Sequence, residues 1–409
     1  MENKGNKDIL DKTGEGVVNI TQITNEIIKM ALEEKASDIH IEPREKCLLI
    51  RFRIDGILRE MLSIKKFLES NVTFRLKLEA KMRIDEHLAP QDGGITFNFD
   101  GKKIDTRVSS LPTVLGEKIV IRILTKEDQS FRLEDLGFEG RELDILNRNY
   151  KRPFGMILAT GPTGSGKTTT LYSLLKLLNS PDKNITTIED PVEFKIEGVN
   201  HIQINAKAKL TFANGLRSIL RQDPNIIMVG EIRDKETAKI AINAALTGHL
   251  VLSTIHTNDA ITTIPRLEDM DIDPFLIAST VSVVVGQRLA RKLCKNCKKE
   301  TELSQEDLNE IKLERPDVAA LLNVGEKIFM PGGCSVCSNR GYRGRIGIYE
   351  VFEVNESIRK EMKRGLDPDN LLKVAREFGF VLMLEDGIKK VKGGITSIEE
   401  IMGVTVLKE

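Results

Sequence analysis

Residues 161–168 read Gly-Pro-Thr-Gly-Ser-Gly-Lys-Thr, and the fold is decided by how this stretch is read. It satisfies G-x-x-x-x-G-K-[ST] at every fixed position, and its flanks are the ones the motif needs. Before it, Met156-Ile157-Leu158-Ala159 is a short apolar run of strand character. After it, residues 168–178 carry apolar side chains at helical spacing. Strand, glycine loop and helix in that order make a phosphate-binding loop. Glycines let backbone N–H groups turn inward onto phosphate oxygens, and the helix N-terminus adds positive potential. The candidate nucleotide-binding residues are Gly161, Pro162, Thr163, Gly164, Ser165, Gly166, Lys167, Thr168 and Thr169. Lys167 suits the β- and γ-phosphates, and the Thr168 hydroxyl suits Mg²⁺.

Downstream of the loop, strand-like and helical segments alternate, the pattern of a parallel α/β sheet. Residues 184–189, 226–231 and 249–255 are its apolar strand candidates. Each ends in polar residues. Thr-Thr-Ile-Glu-Asp-Pro at 186–191 sets Glu189 and Asp190 just past a strand, at the sheet edge where a phosphate loop also opens. Carboxylates there suit Mg²⁺ held through water, or orientation of the attacking water; an acidic turn before a proline is the competing reading. Ile-Ile-Met-Val-Gly-Glu at 226–231 has the shape of a Walker B strand, ending in Gly-Glu rather than an apolar residue and Asp. Its Glu231 is the candidate for polarising water and helping to place Mg²⁺, against a solvated glutamate at a strand end. His256, after the third strand, suits a contact to the γ-phosphate or its water; a structural histidine competes on equal terms.

Cys294-x-x-Cys297 and Cys334-x-x-Cys337 are pairs of the kind that grip zinc tetrahedrally. The 36 residues between the pairs exceed the usual ribbon spacing, so the insert must fold back. A redox pair is the rival, and two pairs in one chain favour structural zinc. Cys47 lies in a strand pattern and reads as a core thiol.

Upstream, residues 20–32 form an amphipathic helix by spacing, and residues 38–42 and 47–54 read as strands. Asp55-Gly56 signals a hairpin. A helix over 71–82 and strands near 96–99, 102–109 and 118–124 complete a small α+β domain over 17–125. Residues 1–16 read as a flexible tail and 126–132 as a linker, with the α/β domain over 133–409.

The bulk numbers are those of a globular protein. In 409 residues, 61 basic and 61 acidic side chains cancel, so no global attraction to nucleic acid is expected. Residues 1–11 are polar, showing no signal peptide, and no apolar run reaches the ~18 residues that span a bilayer. The longest, 275–285, reads as a buried core element. The expected location is the cytoplasm.

Several further motifs accompany these in order: Ser-Asp-Ile-His-Ile-Glu-Pro at 37–43, Arg-Val-Ser-Ser-Leu-Pro-Thr at 107–113 with Gly116-Glu117, Leu-Arg-Gln-Asp-Pro at 220–224, Gly-Glu-Ile-Arg-Asp at 230–234, Ser-Thr-Ile-His-Thr at 253–257 and Gln-Arg-Leu at 287–289. With the phosphate loop, the 186–191 motif and the four cysteines, the set closely resembles the secretion ATPases of type II secretion and type IV pilus assembly, over about residues 20–409. The resemblance implies a RecA-like motor domain behind a PAS-like N-terminal domain, a tetracysteine zinc module over 291–345 and closing C-terminal helices. It implies a homo-hexamer at the inner face of the cytoplasmic membrane. There ATP hydrolysis moves an inner-membrane platform protein, and pilins or pseudopilins are assembled indirectly. Glu189 and Asp190 fall in the family's Asp box, Glu231 in its Walker B and His256 in its His box. Arg107 and Arg122 match arginines that approach nucleotide phosphates, and Arg345 matches a position near the adenine. The implied cofactors are ATP, Mg²⁺ and Zn²⁺. Retraction ATPases of the superfamily generally lack the cysteines, so assembly or secretion is favoured; retraction is the nearest alternative and a RecA-like nucleic-acid translocase a more distant one. Many members carry a further N-terminal domain that docks on a membrane partner, and only about twenty residues precede the first helix here.

Overall fold

A computed structural model describes residues 19–99, 101–124 and 132–405. The expected tail over 1–16 lies outside these residues, as does the expected linker except for Arg132. The described residues fall into two units, one before and one after the stretch 125–131.

In the first unit, period-two alternation builds a sheet. The strand β1 spans Asp38–Pro43, β2 Cys47–Ile54, β3 Ile57–Lys65, β4 Gln91–Phe99, β5 Lys102–Thr113 and β6 Gly116–Leu124. They pair in the order β3-β2-β1-β6-β5-β4, antiparallel throughout. Along β2, Leu48, Ile50, Phe52 and Ile54 are buried while the residues between them are half-exposed, so one face is apolar. The helices Ile20–Glu33 and Glu69–Glu79 cover that face through Ile27, Ile28, Val72 and Leu76. The hairpin expected at Asp55-Gly56 joins β2 to β3, both residues taking positive φ (49° and 89°), the twist that a two-residue turn needs.

In the second unit a larger sheet carries β7 (Gly155–Thr160), β8 (Ile185–Glu189), β9 (Val199–Gln203), β10 (Ile226–Val229), β11 (Leu250–Ile255) and β12 (Val281–Leu293). After them come β13 (Lys299–Glu302), β14 (Lys327–Met330) and β15 (Tyr342–Glu353). The sheet order is β15-β12-β7-β11-β10-β8-β9, parallel from β12 to β9, with β15 antiparallel at one edge. Every residue of β7, β8, β10 and β11 is buried, as a sheet covered on both faces requires. The two faces lie in separate apolar clusters, one including Met156, Val229 and Ala241, the other Ile157, Leu171 and Leu252. The apolar run 275–285 is buried for much of its length but splits into the helix Pro274–Thr280 and the start of β12.

The cysteine-bearing insert leaves the sheet between β12 and β15, whose Arg291 and Arg345 still pair. It folds back because β13 and β14 pair antiparallel, from Lys299 opposite Met330 to Glu302 opposite Lys327. The closing helices Met383–Lys392 and Ile398–Val404 share a core with the insert through Leu303, Val318, Ile328, Ile388 and Ile401. Among the described residues, no helix is long and apolar enough to cross a membrane.

Candidate functional site

The chain leaves β7 at Thr160 and turns into the helix Lys167–Leu178. The turn demands glycine. Gly161 has φ 139°, and a Cβ there would lie 2.3 Å from the Gln287 carbonyl oxygen. Among the described residues no side chain caps the helix start, which leaves its first-turn amides for an anion. Gly161 and Ser165 are buried, Pro162, Thr163, Gly164 and Thr169 exposed, and Gly166, Lys167 and Thr168 half-exposed. The Lys167 ammonium folds onto its own loop, donating to the carbonyls of Gly161 (2.7 Å) and Pro162 (3.1 Å). Burial pushes its pKa below the ordinary lysine value, and the charge of Glu231 opposes that shift.

Four neighbouring strands deliver the candidate residues to one sheet edge. In the order β7, β11, β10, β8 these are Lys167, which opens the helix after the loop that leaves β7, and His256, Glu231 and Asp190, which follow closely on the ends of their strands. His256 Nε2 lies 3.4 Å from a Glu231 carboxylate oxygen. Arg233 bonds the other Glu231 oxygen and lies 3.8 Å from Asp190. The loop of His256 is tied to the end of β7 by Thr257, whose N–H donates to the Thr160 hydroxyl (3.0 Å). A lysine, an acid, a histidine and free helix amides around one opening form a set that can hold phosphates and polarise a water.

Glu189 does not share that opening. It is 3% exposed, and Tyr172, Thr187 and His201 all bond its carboxylate. Asp190, the next residue, is exposed.

Local sequence reasoning noted Arg233, Thr187 and Gln287 only within longer motifs and did not single out Tyr172 or His201. Gln287 is 1% exposed. Its amide donates to the Ser165 carbonyl (2.7 Å) and accepts from the Thr170 hydroxyl (2.9 Å), so β12 braces the phosphate loop from beneath. A lone amide in an apolar strand was the available signal, since a buried amide needs partners.

In the first unit, Arg107 and Arg122 stand opposite each other on β5 and β6. Arg122 Nε donates to Asp38 at 2.9 Å. Arg345 is exposed on β15 opposite Arg291.

The four cysteine sulfurs lie within 4.8 Å of one another. Cys294 and Cys334 are 3.8 Å apart, and Cys297 and Cys337 3.7 Å. Each pair sits on a tight turn, with the amides of Lys298 and Asn339 donating to the carbonyls of Cys294 and Cys334. The close approach needs Gly332, where a Cβ would fall 2.1 Å from the Cys297 carbonyl oxygen. A fully sulfur donor set of this size suits zinc with no open position.

Residues 13–403 match the family described as Type II/IV secretion system protein. The chain is 45% identical over 402 residues to the type II secretion system ATPase E of Vibrio cholerae, covering 98% of this chain and 78% of that protein. It is 45% identical over 387 residues to the type IV pilus assembly ATPase PilB of Myxococcus xanthus, covering 94% of this chain and 68% of that one. Its structure is similar to that of the pilus retraction motor PilT solved with bound ADP: the TM-score is 0.62 and the identity 27%, covering 92% of this chain and 95% of that one.

Proposed function

The chain belongs to the type II/IV secretion system protein family, and we propose that it is the ATP-hydrolysing motor of a secretion or pilus-assembly machine. The observation that carries this reading is the delivery of Lys167, His256, Glu231 and Asp190 to one sheet edge by four adjacent strands. The loop amides and Lys167 hold the β- and γ-phosphates. Thr168 is the hydroxyl that would hold Mg²⁺, which when bound neutralises charge developing between those phosphates. Glu231 polarises the attacking water as general base, and His256, within reach of the same carboxylate, contacts the γ-phosphate or that water. Asp190 and Arg233 complete the polar wall. Arg107 and Arg122 are proposed as phosphate-binding guanidiniums, and Arg345 as an adenine-side residue.

Cys294, Cys297, Cys334 and Cys337 are proposed to hold one structural zinc, which gives the insert a centre that its small apolar core lacks. The proposed assembly is a homo-hexamer acting on an inner-membrane platform protein from the cytoplasmic side. Retraction is the second reading, favoured by the likeness to PilT. The 45% identity to export and assembly ATPases, against 27% to PilT, supports assembly or secretion.

The test is Mg²⁺-dependent phosphate release from ATP by the full chain. Lys167→Ala should lower turnover by at least ~100-fold, the order expected when a cation on the transferring phosphoryl is lost. Equal turnover by Lys167→Ala would overturn the reading.

A further inference from the structure

The first acid of the 186–191 motif is placed unlike the other charged residues of the site. Glu189 ends β8 and is enclosed in the protein. Tyr172, from the phosphate-loop helix, donates its hydroxyl to Oε2. Thr187 donates to Oε1 at 2.6 Å, and His201 Nδ1 lies 2.9 Å from the same oxygen. The histidine's tautomer follows from its other nitrogen. Nε2 accepts the Ile196 backbone N–H at 3.0 Å, so Nδ1 carries the proton and donates to the carboxylate. Three donors from two strands and a helix thus converge on one acceptor-only group. Burial, with the Glu189 charge beside it, pushes the Tyr172 hydroxyl up from its ordinary pKa, so it stays a donor.

The position of this group matters as much as its partners. Tyr172 stands five residues after Lys167 on the same helix and is fully buried. The main chain of Glu189 abuts Gly230, where a Cβ would lie 3.3 Å from the Glu189 Cα. Gly230 N–H donates to the Ile188 carbonyl at 2.8 Å, and Glu231 is the next residue.

We propose that Glu189 is a positioning residue, a buried clamp that holds the phosphate-loop helix, through Tyr172, in fixed register with the strand ends carrying Asp190 and Glu231. It serves the reaction without touching nucleotide, metal or water. His201 and Thr187 aim the carboxylate, and Tyr172 passes its position to the loop. This rests on the ATPase reading above. Loosening the clamp shifts Lys167 against Glu231, and misplacement by about 1 Å is enough to cost up to ~100-fold in rate.

The experiment compares the full chain with Tyr172→Phe, Glu189→Gln and the double variant. It reads kcat, KM for ATP, the Mg²⁺ midpoint of activity and the thermal midpoint. Tyr172→Phe keeps the ring and removes one donor, so it tests the clamp even if Glu189→Gln folds poorly. Each single variant should lower kcat by roughly tenfold or more while KM and the Mg²⁺ midpoint stay within about threefold. The double variant should be no worse than Glu189→Gln alone, because both break one connection. A tenfold shift of the Mg²⁺ midpoint in Glu189→Gln, with normal kcat in Tyr172→Phe, would place Glu189 on the metal and overturn the clamp. Thermal midpoints decide independently of turnover: non-additive losses support the clamp and additive losses overturn it. If the unmodified chain hydrolyses no ATP, the ATPase reading alone fails, and the thermal cycle still decides whether the clamp exists.

Discussion

The phosphate loop and the cysteine cluster are both short motifs of the second unit, and they are held in opposite ways. The loop is braced by protein. Gln287 grips Ser165 from beneath, Thr160 and Thr257 tie its base to the neighbouring strand, and Lys167 closes on the loop's own carbonyls. The four sulfurs chiefly face one another, with the Gly341 N–H 3.2 Å from Cys337. The insert around them has a small apolar core shared with the C-terminal helices. The first site is shaped by the fold in advance of its ligand, so its residues can be spent on chemistry. The second offers four converging sulfurs that the proposed zinc would tie together, so its residues would be spent on stability.

The strongest way to break this comparison is to strip metal. The purified chain should carry one zinc. Its removal by chelator, or Cys294→Ser, should lower the thermal midpoint by about 10 °C or more. ADP affinity should stay within about threefold, since the loop's braces are untouched. Zinc-free protein with five titratable thiols and an unchanged midpoint would put the cysteines in the same class as the loop.

A smaller effect sharpens the comparison from the first unit, where charges replace metal. Glu42 is nearly buried among Arg51 (2.7 Å), Lys118 (3.0 Å) and Arg44 (2.9 Å). Burial works to raise its pKa, but the bonds to Arg51 and Lys118 overcome that and hold it at about 2, below the ordinary 4.5. A depressed carboxylate stabilises the fold above its unfolded value, and that contribution is lost as pH falls from 4.5 to about 2. Glu42→Gln should therefore cost about 1–3 kcal/mol at neutral pH and flatten the acid unfolding in that window. An unchanged acid profile, read by circular dichroism, would show the cluster to be unimportant for stability.

Much of this was legible in the chain. The eight residues of the loop bring their own geometry; β10 was visible because a strand covered on both faces can be apolar throughout, and β8 and β11 because β-branched and apolar residues run up to a polar end. The strand β9 was not, since Val-Asn-His-Ile-Gln at its edge position lacks that signature. The start of β12 was hidden because the helix before it passes into the strand at Thr280-Val281 with no glycine or proline between them. The fold-back of the cysteine insert was required by spacing, yet its means, the pairing of Lys-Glu-Thr-Glu with Lys-Ile-Phe-Met, has little apolar alternation to reveal it. The partners of Glu189 and of the loop that come from distant parts of the chain escaped for a different reason. His201 lies 12 residues from Glu189 and Gln287 lies 122 from Ser165, and no local period records such contacts.

The claim that the pre-shaped site performs hydrolysis is tested most directly at Glu231. With Glu231→Gln the carboxylamide keeps the size of the side chain and loses the base. The account predicts that this variant binds Mg·ATP with an affinity within about threefold of the unmodified chain, yet releases phosphate at least ~100-fold more slowly in a single turnover. Phosphate release at the unmodified rate would contradict the account and move the water-polarising role away from Glu231.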